Sequence, residues 1–576
     1  MLRSRFLVVA VLSSYWCIAA YGGAQSPGKS SDSHGHPWWR HAVFYEIYPR
    51  SFADSNNDGT GDLPGITSKL DYLQRLGVDA IWITPCYPSP QIDFGYDVSN
   101  FEDIDPMYGT LADFDRLQRE ASHRGIRLIM DFVINHTSDQ NPWFIDSASS
   151  RTSLHRDWYI WRDGKVDGQP PNNWRSDFGG PAWKLRPETG QYYYHNFAPQ
   201  QPDLNWRNPE VASAMFDVTR FWYKRGVAGL RLDAVDYLFE DPALHDNPIV
   251  AGNNERGEPN MLDTYNSKLP EIHDLMRRLR AVADQSNAVL VGETYTDDAK
   301  QLKAYYGEHE DEIQLPMNFV FCTIDKLSVA DFRKQVAAAE STGEWPVYVI
   351  SNHDMPRSSV RYGDGLHNDQ IAKLMAAMYL TLRGTPVLYY GEELGMENND
   401  PVRLEDVKDP AGKMGGWPTV KGRDGERTPM QWDSSPNAGF TQGKPWLPIP
   451  PSHLTHNVAT ESKDPNSILN LYRNLLSLRH KDAALLEGDY VALNSADTST
   501  FSYLRHYANE TVLVVLNMSG TAHTVDINLE QQGLSRAHLH TLLSDIAAQP
   551  HPTSRSGADL QITMDPFTFY IARLDN

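Results

Sequence analysis

Short β-branched or aromatic segments alternate with amphipathic helical segments through most of the chain, and this alternation restricts its fold more than any other feature. Apolar positions between those segments, such as Ile66, Leu70 and Leu73, have the spacing of one helix face. Regular alternation of strands with helices predicts a parallel sheet. No Gly-rich phosphate-binding turn follows the first predicted strand, so we favour an α/β fold of the (β/α)8 TIM-barrel type over a doubly wound sheet. The eight predicted barrel strands are residues 43–47, 80–84, 127–133, 229–233, 288–292, 317–321, 347–351 and 386–390.

Two irregular segments interrupt this alternation. Residues 135–208 are rich in Trp, Gly, Pro and Asn and show no clear helix, which predicts a loop-rich domain inserted after the third strand. Residues 392–456, after the eighth strand, are also irregular. Because the loops that follow barrel strands surround the active site, we expect both segments to wall a pocket.

After residue 488 the pattern changes to closely spaced short strands, which is typical of a small antiparallel β-domain. The predicted strands there are residues 501–507, 511–517, 523–529, 538–543 and 567–573. The predicted domains are the first part of the barrel at residues 37–135, an inserted domain at 136–208, the second part of the barrel at 209–487, and a C-terminal β-sandwich domain at 488–576.

The N-terminus has the pattern of an export signal. Arg3 and Arg5 precede an apolar run at residues 6–20, and small residues follow it. The run is short for a membrane span, with an uncleaved signal anchor as the alternative. We therefore predict a signal peptide at residues 1–24, a disordered leader at 25–36, no membrane span after cleavage, and a secreted or periplasmic location.

The net charge argues against some classes of partner, and the cysteine content argues against disulfide and zinc frameworks. The formal net charge of −22, with no basic patch to offset it, argues against nucleic acid and anionic membranes. Of the three cysteines, Cys17 lies in the predicted signal peptide. The other two, Cys86 and Cys322, provide neither a disulfide framework nor a zinc-ligand spacing.

Polar side chains follow four of the predicted barrel strands at the point where each strand ends. One acid at a strand end is commonly structural, but the carboxyl ends of barrel strands surround a single site. We therefore expect these side chains to converge there. They are Asp131 and His136 in DFVINH (131–136), Asp233 in GLRLDAVD (229–236), Glu293 in VGET (291–294), and His353 and Asp354 in ISNHD (350–354).

Two of these acids have sequence environments that suit glycoside hydrolysis. Arg231 and Asp233 lie two residues apart on one strand and face the same side, so the arginine is expected to lower the pKa of Asp233 and keep it ionised as a nucleophile. The alternative is a structural Arg–Asp pair. Glu293 follows an apolar run whose burial would raise its pKa and make it a general acid. Asp354 is then free to bind substrate hydroxyls or to stabilise an oxocarbenium ion. A separation of ~5–5.5 Å between Asp233 and Glu293 would indicate a retaining mechanism, and ~6.5–9.5 Å an inverting one.

The segment DSNNDGTGD (54–62) places oxygen atoms at alternate positions around glycine turns. Such a donor set suits a hard cation, Ca²⁺ or Mg²⁺, although a polar turn explains the pattern equally well. It is not a complete EF-hand, because Gly65 stands where the bidentate glutamate would be. The candidate ligands are Asp54, Asn56, Asp58, the backbone of Thr60, and Asp62.

The motifs together resemble those of the α-amylase superfamily of retaining α-glycosidases, in its oligo-1,6-glucosidase/maltase branch. The resemblance runs from about residue 38 to the C-terminus. DFVINH, GLRLDAVD, GETY and SNHD occur in the family's order on the third, fourth, fifth and seventh strands. Three further segments of the chain resemble segments of this branch: QPDLNW (201–206), VFYEIYPRSF (43–52) and GTPVLYYGEELGM (384–396).

The resemblance implies a role for each candidate residue. It implies Asp233 as nucleophile, Glu293 as acid/base and Asp354 as transition-state stabiliser. The segment FGYD (94–97), with the acid before it, and the stretch RDGERTPMQW (423–432) match residues that bind and enclose the terminal glucose, which implies exo-action. It also implies a structural role for the Ca²⁺ or Mg²⁺ site and no cofactor for catalysis. The implied sugar contacts are Asp93, Tyr96, His136, Arg231, His353 and Arg423.

The residue after the nucleophile bears on linkage. In this branch valine there accompanies α-1,6 cleavage, and alanine or threonine accompanies α-1,4 cleavage, so Ala234 implies maltose and short malto-oligosaccharides, with sucrose as a further substrate. The alternatives are an oligo-1,6-glucosidase, or a transglucosylase, sucrose isomerase or trehalose synthase of the same family. A non-catalytic binding protein on the same fold is the alternative from another class. The oligomeric state stays open.

Overall fold

The computed structural model describes residues 35–529, 534, 538–545 and 559–575. The predicted signal peptide and residues 25–34 of the predicted leader lie outside these ranges. Within them the strands are β1 (Phe44–Ile47), β2 (Ala80–Ile83), β3 (Arg127–Phe132), β4 (Trp161–Asp163), β5 (Trp183–Arg186), β6 (Gln191–Tyr194), β7 (Gly229–Leu232), β8 (Ile249–Asn253), β9 (Pro259–Met261), β10 (Val289–Thr294), β11 (Leu315–Asn318), β12 (Val347–Val349), β13 (Thr385–Tyr389), β14 (Asp489–Leu493), β15 (Thr500–Tyr507), β16 (Glu510–Asn517), β17 (His523–Asn528), β18 (His538–Ser544), β19 (Asp559–Met564) and β20 (Phe569–Asp575).

The α-helices of the same ranges are α1 (Pro49–Phe52), α2 (Leu63–Ser68), α3 (Leu70–Leu76), α4 (Leu111–His123), α5 (Pro142–Ser149), α6 (Pro209–Lys224), α7 (Glu271–Asp284), α8 (Ala299–Ala304), α9 (Val329–Ser341), α10 (Ser358–Tyr362), α11 (Asn368–Thr381), α12 (Pro410–Gly415), α13 (Val458–Glu461), α14 (Ile468–Lys481) and α15 (Ala483–Glu487).

Eight parallel strands form the central barrel, in the order β11-β10-β7-β3-β2-β1-β13-β12. Strands β11 and β12, at the two ends of this order, lie side by side and close the barrel. The predicted (β/α)8 fold is therefore confirmed. The sixth predicted strand was placed too late in the chain: β11 ends at Asn318, and the apolar residues after it form a 3-10 turn at Phe319–Phe321.

Helix α6 illustrates how the sequence builds the outer layer. Asn208 accepts a hydrogen bond from the N–H of Glu210, and Pro209 occupies the first helical position, so the start of the helix is well defined. Its apolar face, formed by Val211, Met215, Val218 and Trp222, is buried against the barrel. The indole of Trp222 donates to the carbonyl oxygen of Phe101 at 2.8 Å, so even this large side chain leaves no buried donor unpaired.

The segment between β3 and α6 contains the small antiparallel sheet β4-β6-β5. It also contains α5, so the expectation of no helix in this segment is wrong. The start signal was present in the sequence, because Asn141 caps the N–H of Trp143 and Pro142 follows it. A second unpredicted feature is the β8–β9 hairpin, which lies after β7. An isolated bridge pairs His136, near the start of the segment between β3 and α6, with Asp203, near its end.

The C-terminal part forms a five-stranded antiparallel sheet, β14-β15-β16-β20-β18, and a two-stranded sheet, β17-β19. Apolar residues of both sheets, such as Leu513 and Ile562, pack in one cluster between them. The antiparallel β-domain is thus confirmed, and β14 and β19 are strands that the sequence did not predict. The five-stranded sheet docks on the barrel helices, where buried Arg505 donates to the carbonyl oxygen of Thr381 at 2.6 Å.

Candidate active site

One buried guanidinium lies at the centre of the barrel mouth. Arg231, on β7, has no solvent exposure and contacts three carboxyl groups. Its Nη1 lies 2.5 Å from Oδ1 of Asp233 and 3.2 Å from both oxygens of Asp131. Its Nη2 lies 2.9 Å from Oε2 of Glu293. The guanidinium carbon also lies 4.8 Å from the ring centroid of Trp82. The predicted Arg231–Asp233 pair is therefore part of a larger charged cluster.

The register of the parallel strands brings these residues together. Asp131 on β3 is directly opposite Arg231 on β7. Leu232 is opposite Gly292 on β10, so the next residues along the two strands, Asp233 and Glu293, are neighbours. Sequence-distant acids therefore meet at the carboxyl end of the barrel, as expected for this fold.

Glu293 has the environment of a group that stays protonated near neutral pH. Its Oε2 accepts a hydrogen bond from the N–H of Ala234 at 2.8 Å, and its Oε1 accepts one from the hydroxyl of Tyr295 at 3.1 Å. Burial raises the pKa of Glu293 to about 7, although the charge of Arg231 opposes this shift.

The expectation that Arg231 keeps the pKa of Asp233 low is wrong. Burial raises the pKa of Asp233, and this effect outweighs the opposing charge of Arg231. Asp233 and Glu293 therefore form a buried pair that retains a proton near neutral pH. If both carboxyl groups were ionised, the two negative charges beside Arg231 would repel each other. Because Arg231 contacts Asp233 at the shorter distance, the ionised form is favoured on Asp233.

Asp354 has the opposite electrostatic environment. Its Oδ1 lies 2.8 Å from Nη2 of Arg427 and 2.9 Å from Nη1 of Arg423, and its Oδ2 lies 3.1 Å from Nε2 of His353. Burial alone would raise the pKa of Asp354, but the contact with His353 and the charges of Arg423 and Arg427 lower it well below its usual value. Asp354 is therefore a permanent negative charge beside the Asp233–Glu293 pair.

Arg423 contacts three carboxyl groups at the cavity. Its Nη2 lies 2.6 Å from Oδ1 of Asp93 and 2.7 Å from Oδ1 of Asp409, and its Nη1 contacts Asp354. The predicted Asp93–Arg423 pair is present. Asp409 was not predicted, because it lies in the irregular segment after β13. The only sequence signal was its position before Pro410, at the start of α12.

Tyr96 and the two predicted histidines form a neutral polar layer. The ring of Tyr96 stacks on His353 at 5.3 Å between centroids, and its hydroxyl lies 2.7 Å from Nε2 of that histidine. Burial lowers the pKa of His136 to about 3 and also lowers the pKa of His353, so both imidazoles are uncharged. Nε2 of His136 lies 3.1 Å from Nε2 of Gln201, which also donates to Oδ2 of Asp93 at 3.1 Å.

These side chains line a cavity of about 440 Å³. Arg231 and His353 lie behind the lining, where they position Asp233 and Tyr96. The predicted residues on the lining are Asp93, Tyr96, His136, Asp233, Ala234, Glu293, Asp354 and Arg423. The lining residues that sequence reasoning missed are Asp177, Phe178, Phe197, Gln201, Asp236, Tyr237, Tyr295, Met355 and Ala411.

The predicted metal loop lies outside this cavity. Asp54 accepts hydrogen bonds from the N–H groups of Asn56 and Gly59, at 3.0 and 2.8 Å. Asp58 accepts from the N–H of Thr60 at 2.8 Å and from Nδ2 of Asn56 at 3.0 Å. Asp62 is turned toward α2, where it caps the N–H of Gly65. The loop thus brings together side-chain oxygen atoms of Asp54, Asn56 and Asp58 that could ligate a cation, whereas Asp62 caps helix α2.

Known proteins are similar to this chain in sequence and in fold. Residues 46–488 match the family described as alpha amylase, catalytic domain, and residues 490–571 match the family described as maltogenic amylase, C-terminal domain. A probable alpha-glucosidase of Rhizobium meliloti (strain 1021) is 42% identical over 523 residues, which cover 88% of this chain and 94% of that protein. The oligo-1,6-glucosidase of Parageobacillus thermoglucosidasius is 38% identical over 513 residues, which cover 84% and 90%. The crystal structure of the alpha-glucosyl transfer enzyme XgtA has a TM-score of 0.84 at 39% identity, and the match covers 93% of this chain and 99% of that one.

The barrel and its carboxyl cluster, together with these matches, define a glycoside hydrolase with carbohydrate substrates. The chain belongs to the α-amylase superfamily, in its glucosidase branch, and the resemblance seen in the sequence is confirmed. In the described part of the chain, no helix has the length and apolar character needed to cross a membrane.

The pKa of Glu293 gives a testable pH dependence. If Glu293 acts as the acid, kcat/KM should fall as the pH rises through about 7, because the carboxyl group then loses the proton it must donate. Glu293→Gln should lower kcat on an unactivated glucoside by ~10²–10⁴-fold and remove this alkaline limb. On a dinitrophenyl glucoside, whose leaving group needs no proton, Glu293→Gln should lower the rate of glucosyl-enzyme formation much less.

Glu240→Gln is the matched control for this experiment. Glu240 is also buried, with a pKa raised by burial to about 8, but it does not line the cavity. Its variant should keep the alkaline limb of the wild type. An unchanged pH profile in Glu293→Gln would contradict the assignment.

Proposed function

We propose that the protein is a retaining, exo-acting α-glucosidase that releases terminal α-1,4-linked glucose from maltose and short malto-oligosaccharides, and that also accepts sucrose. The observation that carries this proposal is the single guanidinium of Arg231 in contact with both Asp233 and Glu293. Two carboxyl groups that touch the same guanidinium are near neighbours, which favours the ~5–5.5 Å separation of retaining enzymes over the wider spacing of inverting ones.

Asp233 and Glu293 divide the chemistry between them. Asp233 attacks the anomeric carbon and forms a glucosyl ester, while Glu293 gives its proton to the glycosidic oxygen of the departing sugar. Glu293 then takes a proton from water, which attacks the same carbon and releases Asp233. The negative charge of Asp354 stabilises the positive charge that develops on the sugar ring in both transition states.

The Asp93–Arg423 pair supports exo-action. Arg423 links Asp93 to Asp354 and Asp409, so this side of the cavity is closed by a network of charge-assisted hydrogen bonds. Asp93 and His136 offer polar atoms to the hydroxyl groups of one terminal glucose. A chain that continued past this end would meet the Arg423 network, so internal glucose units are excluded.

Water and a second sugar compete as acceptors in the cavity. Phe178, Phe197 and Tyr237 line it and follow β4, β6 and β7, respectively. We propose hydrolysis as the main outcome. Oligo-1,6-glucosidase, transglucosylase, sucrose isomerase and trehalose synthase activities are the alternatives. Chromatography of the products formed from maltose and sucrose distinguishes them, and dominant transfer or isomer products would contradict hydrolysis.

Ala234 provides the test of linkage preference. It lines the cavity beside Asp233 in a left-handed conformation, with φ of +52°, which is strained for a β-branched side chain. We expect kcat/KM for maltose to exceed that for isomaltose, and Ala234→Val to shift this ratio toward isomaltose by about tenfold, since a methylene-sized change in a pocket is worth roughly 1–3 kcal/mol. Initial rates on the two disaccharides measure both quantities.

Ala508→Val is the control for backbone strain. Ala508 has the same φ of +52° but lies in the turn between β15 and β16, away from the cavity. Its variant should lose a similar amount of stability without changing the maltose-to-isomaltose ratio. Equal rates on the two disaccharides in the wild type would contradict the proposed α-1,4 preference.

We further propose that the loop of residues 54–62 binds a structural Ca²⁺ or Mg²⁺ ion and that catalysis needs no cofactor. The donors in this loop are all oxygen atoms, from Asp54, Asn56, Asp58 and the Thr60 backbone, with Asp62 at its end. Oxygen donors at this spacing suit a hard cation. The loop is also fixed to the segment after β13, because Thr441 donates to Asp54 at 2.5 Å.

Removal of the cation should therefore destabilise the protein. In EDTA we expect the melting temperature to fall by several degrees, because a ligand that binds only the folded state stabilises it by mass action. Addition of Ca²⁺ should restore it, and Asp58→Asn should show a smaller response. A melting temperature that ignores both EDTA and Ca²⁺ would contradict a metal site here.

The predicted signal peptide at residues 1–24 supports export to the periplasm or the medium. N-terminal sequencing of the protein from culture fractions tests this proposal. A full-length N-terminus in the cytoplasmic fraction would contradict it.

A further inference from the structure

Three side chains with metal-binding atoms converge on the side of the barrel where the C-terminal domain begins. Nε2 of His41 lies 3.0 Å from Oε1 of Glu487, and Nε2 of His36 lies 3.4 Å from the same oxygen. All three ligand atoms lie within 4.8 Å of one another. Among the described residues, this is the only set of three such side chains that meets this spacing.

Two of the three ligand-atom separations are close to those of a tetrahedral zinc site. Ligand atoms at ~2.0–2.2 Å from a tetrahedral Zn²⁺ ion lie roughly 3.3–3.6 Å from one another. The two distances to Oε1 of Glu487, 3.0 and 3.4 Å, are close to this range. That oxygen is buried and, within the described residues, accepts no hydrogen bond, so the lone pairs of Oε1 are not taken up by a hydrogen-bond donor.

Two of the three side chains are held by rigid neighbours, so the site is preorganised. His41 follows the 3-10 turn at Trp38–Arg40 and packs edge-on against Trp345, with 5.8 Å between ring centroids. The indole of Trp345 in turn donates to Thr385 on β13 at 2.9 Å.

Glu487 is fixed from the other side. It is the last residue of α15, and the carbonyl oxygen of the next residue, Gly488, accepts two hydrogen bonds from buried Arg505, at 3.0 and 2.8 Å. The ring of His41 and the backbone at Glu487 are therefore anchored before any ion binds, which reduces the cost of assembling a site.

The third side chain leaves the site accessible. His36 is 28% exposed at its side chain, whereas those of His41 and Glu487 are 7% and 3% exposed. An ion can enter from the His36 side, and water can complete the coordination there. Imidazole nitrogens with a carboxylate oxygen form a donor set that zinc accepts and that a hard cation such as Ca²⁺ does not prefer.

We propose that His36, His41 and Glu487 bind one Zn²⁺ ion. The ion links the segment before β1 to the junction between the barrel and the C-terminal domain. This site is separate from the catalytic cavity, and its role is structural: it ties together parts of the chain that are more than 440 residues apart in sequence.

Zinc titration of untagged, chelator-treated protein tests this proposal. Ca²⁺ is kept in excess to occupy the loop at residues 54–62, and ZnCl₂ is added in a calorimeter. We expect one Zn²⁺ per chain with a Kd of about 1 μM or lower. His36→Ala and Glu487→Gln should each weaken binding at least tenfold, whereas His309→Ala, at an exposed histidine outside the cluster, should leave it unchanged.

Cobalt gives a second measurement that needs no variant. Co²⁺ in a site of two imidazoles, a carboxylate and water should show the intense visible absorption of tetrahedral coordination, and Zn²⁺ should displace it. Absence of stoichiometric zinc binding to the wild type would overturn the proposal and leave a histidine–glutamate ion pair. Binding that is equal in the wild type and in both ligand variants would also overturn it.

Discussion

The charge of Arg231 is the constraint on which the active site depends. A guanidinium without solvent exposure is costly to bury unless acids surround it, and here Asp131, Asp233 and Glu293 do so. The dependence is mutual, because three carboxyl groups packed this closely would repel one another without the arginine. The cluster therefore fixes the positions of these carboxyl groups, and the strand register brings its members to one place.

Burial and charge then give each acid a different protonation state. Burial raises the pKa values of Asp233 and Glu293, so the pair retains a proton that can be donated. Asp354 is somewhat more exposed, and His353, Arg423 and Arg427 lower its pKa and keep it negative. The proposed mechanism uses this combination of an acid, a nucleophile and a fixed negative charge in one cavity. The balance between burial, which raises the pKa of a carboxyl group, and nearby cations, which lower it, sets the protonation state of each acid.

The sequence predicted what depends on periodicity and missed what depends on three-dimensional packing. All eight barrel strands and the acids at their ends were predictable, because β-branched runs and strand-end polar residues leave a clear local pattern. The lining residues Phe178 and Phe197, and Asp409 behind Arg423, were not, since they lie in irregular segments whose path no repeat fixes. The pKa of Asp233 was predicted in the wrong direction, because the sequence shows a neighbouring arginine but not the depth of burial.

Trapping of the glucosyl intermediate tests the central claim, that Asp233 is the nucleophile, most directly. A fluorinated glucosyl fluoride forms the ester quickly and loses it slowly, so the labelled peptide can be identified by mass spectrometry after digestion. We expect one glucosyl group per chain, on the peptide that carries Asp233, and none in Asp233→Asn. A label on Glu293 or Asp354, or inactivation without any covalent label, would contradict the proposed division of roles among the three acids.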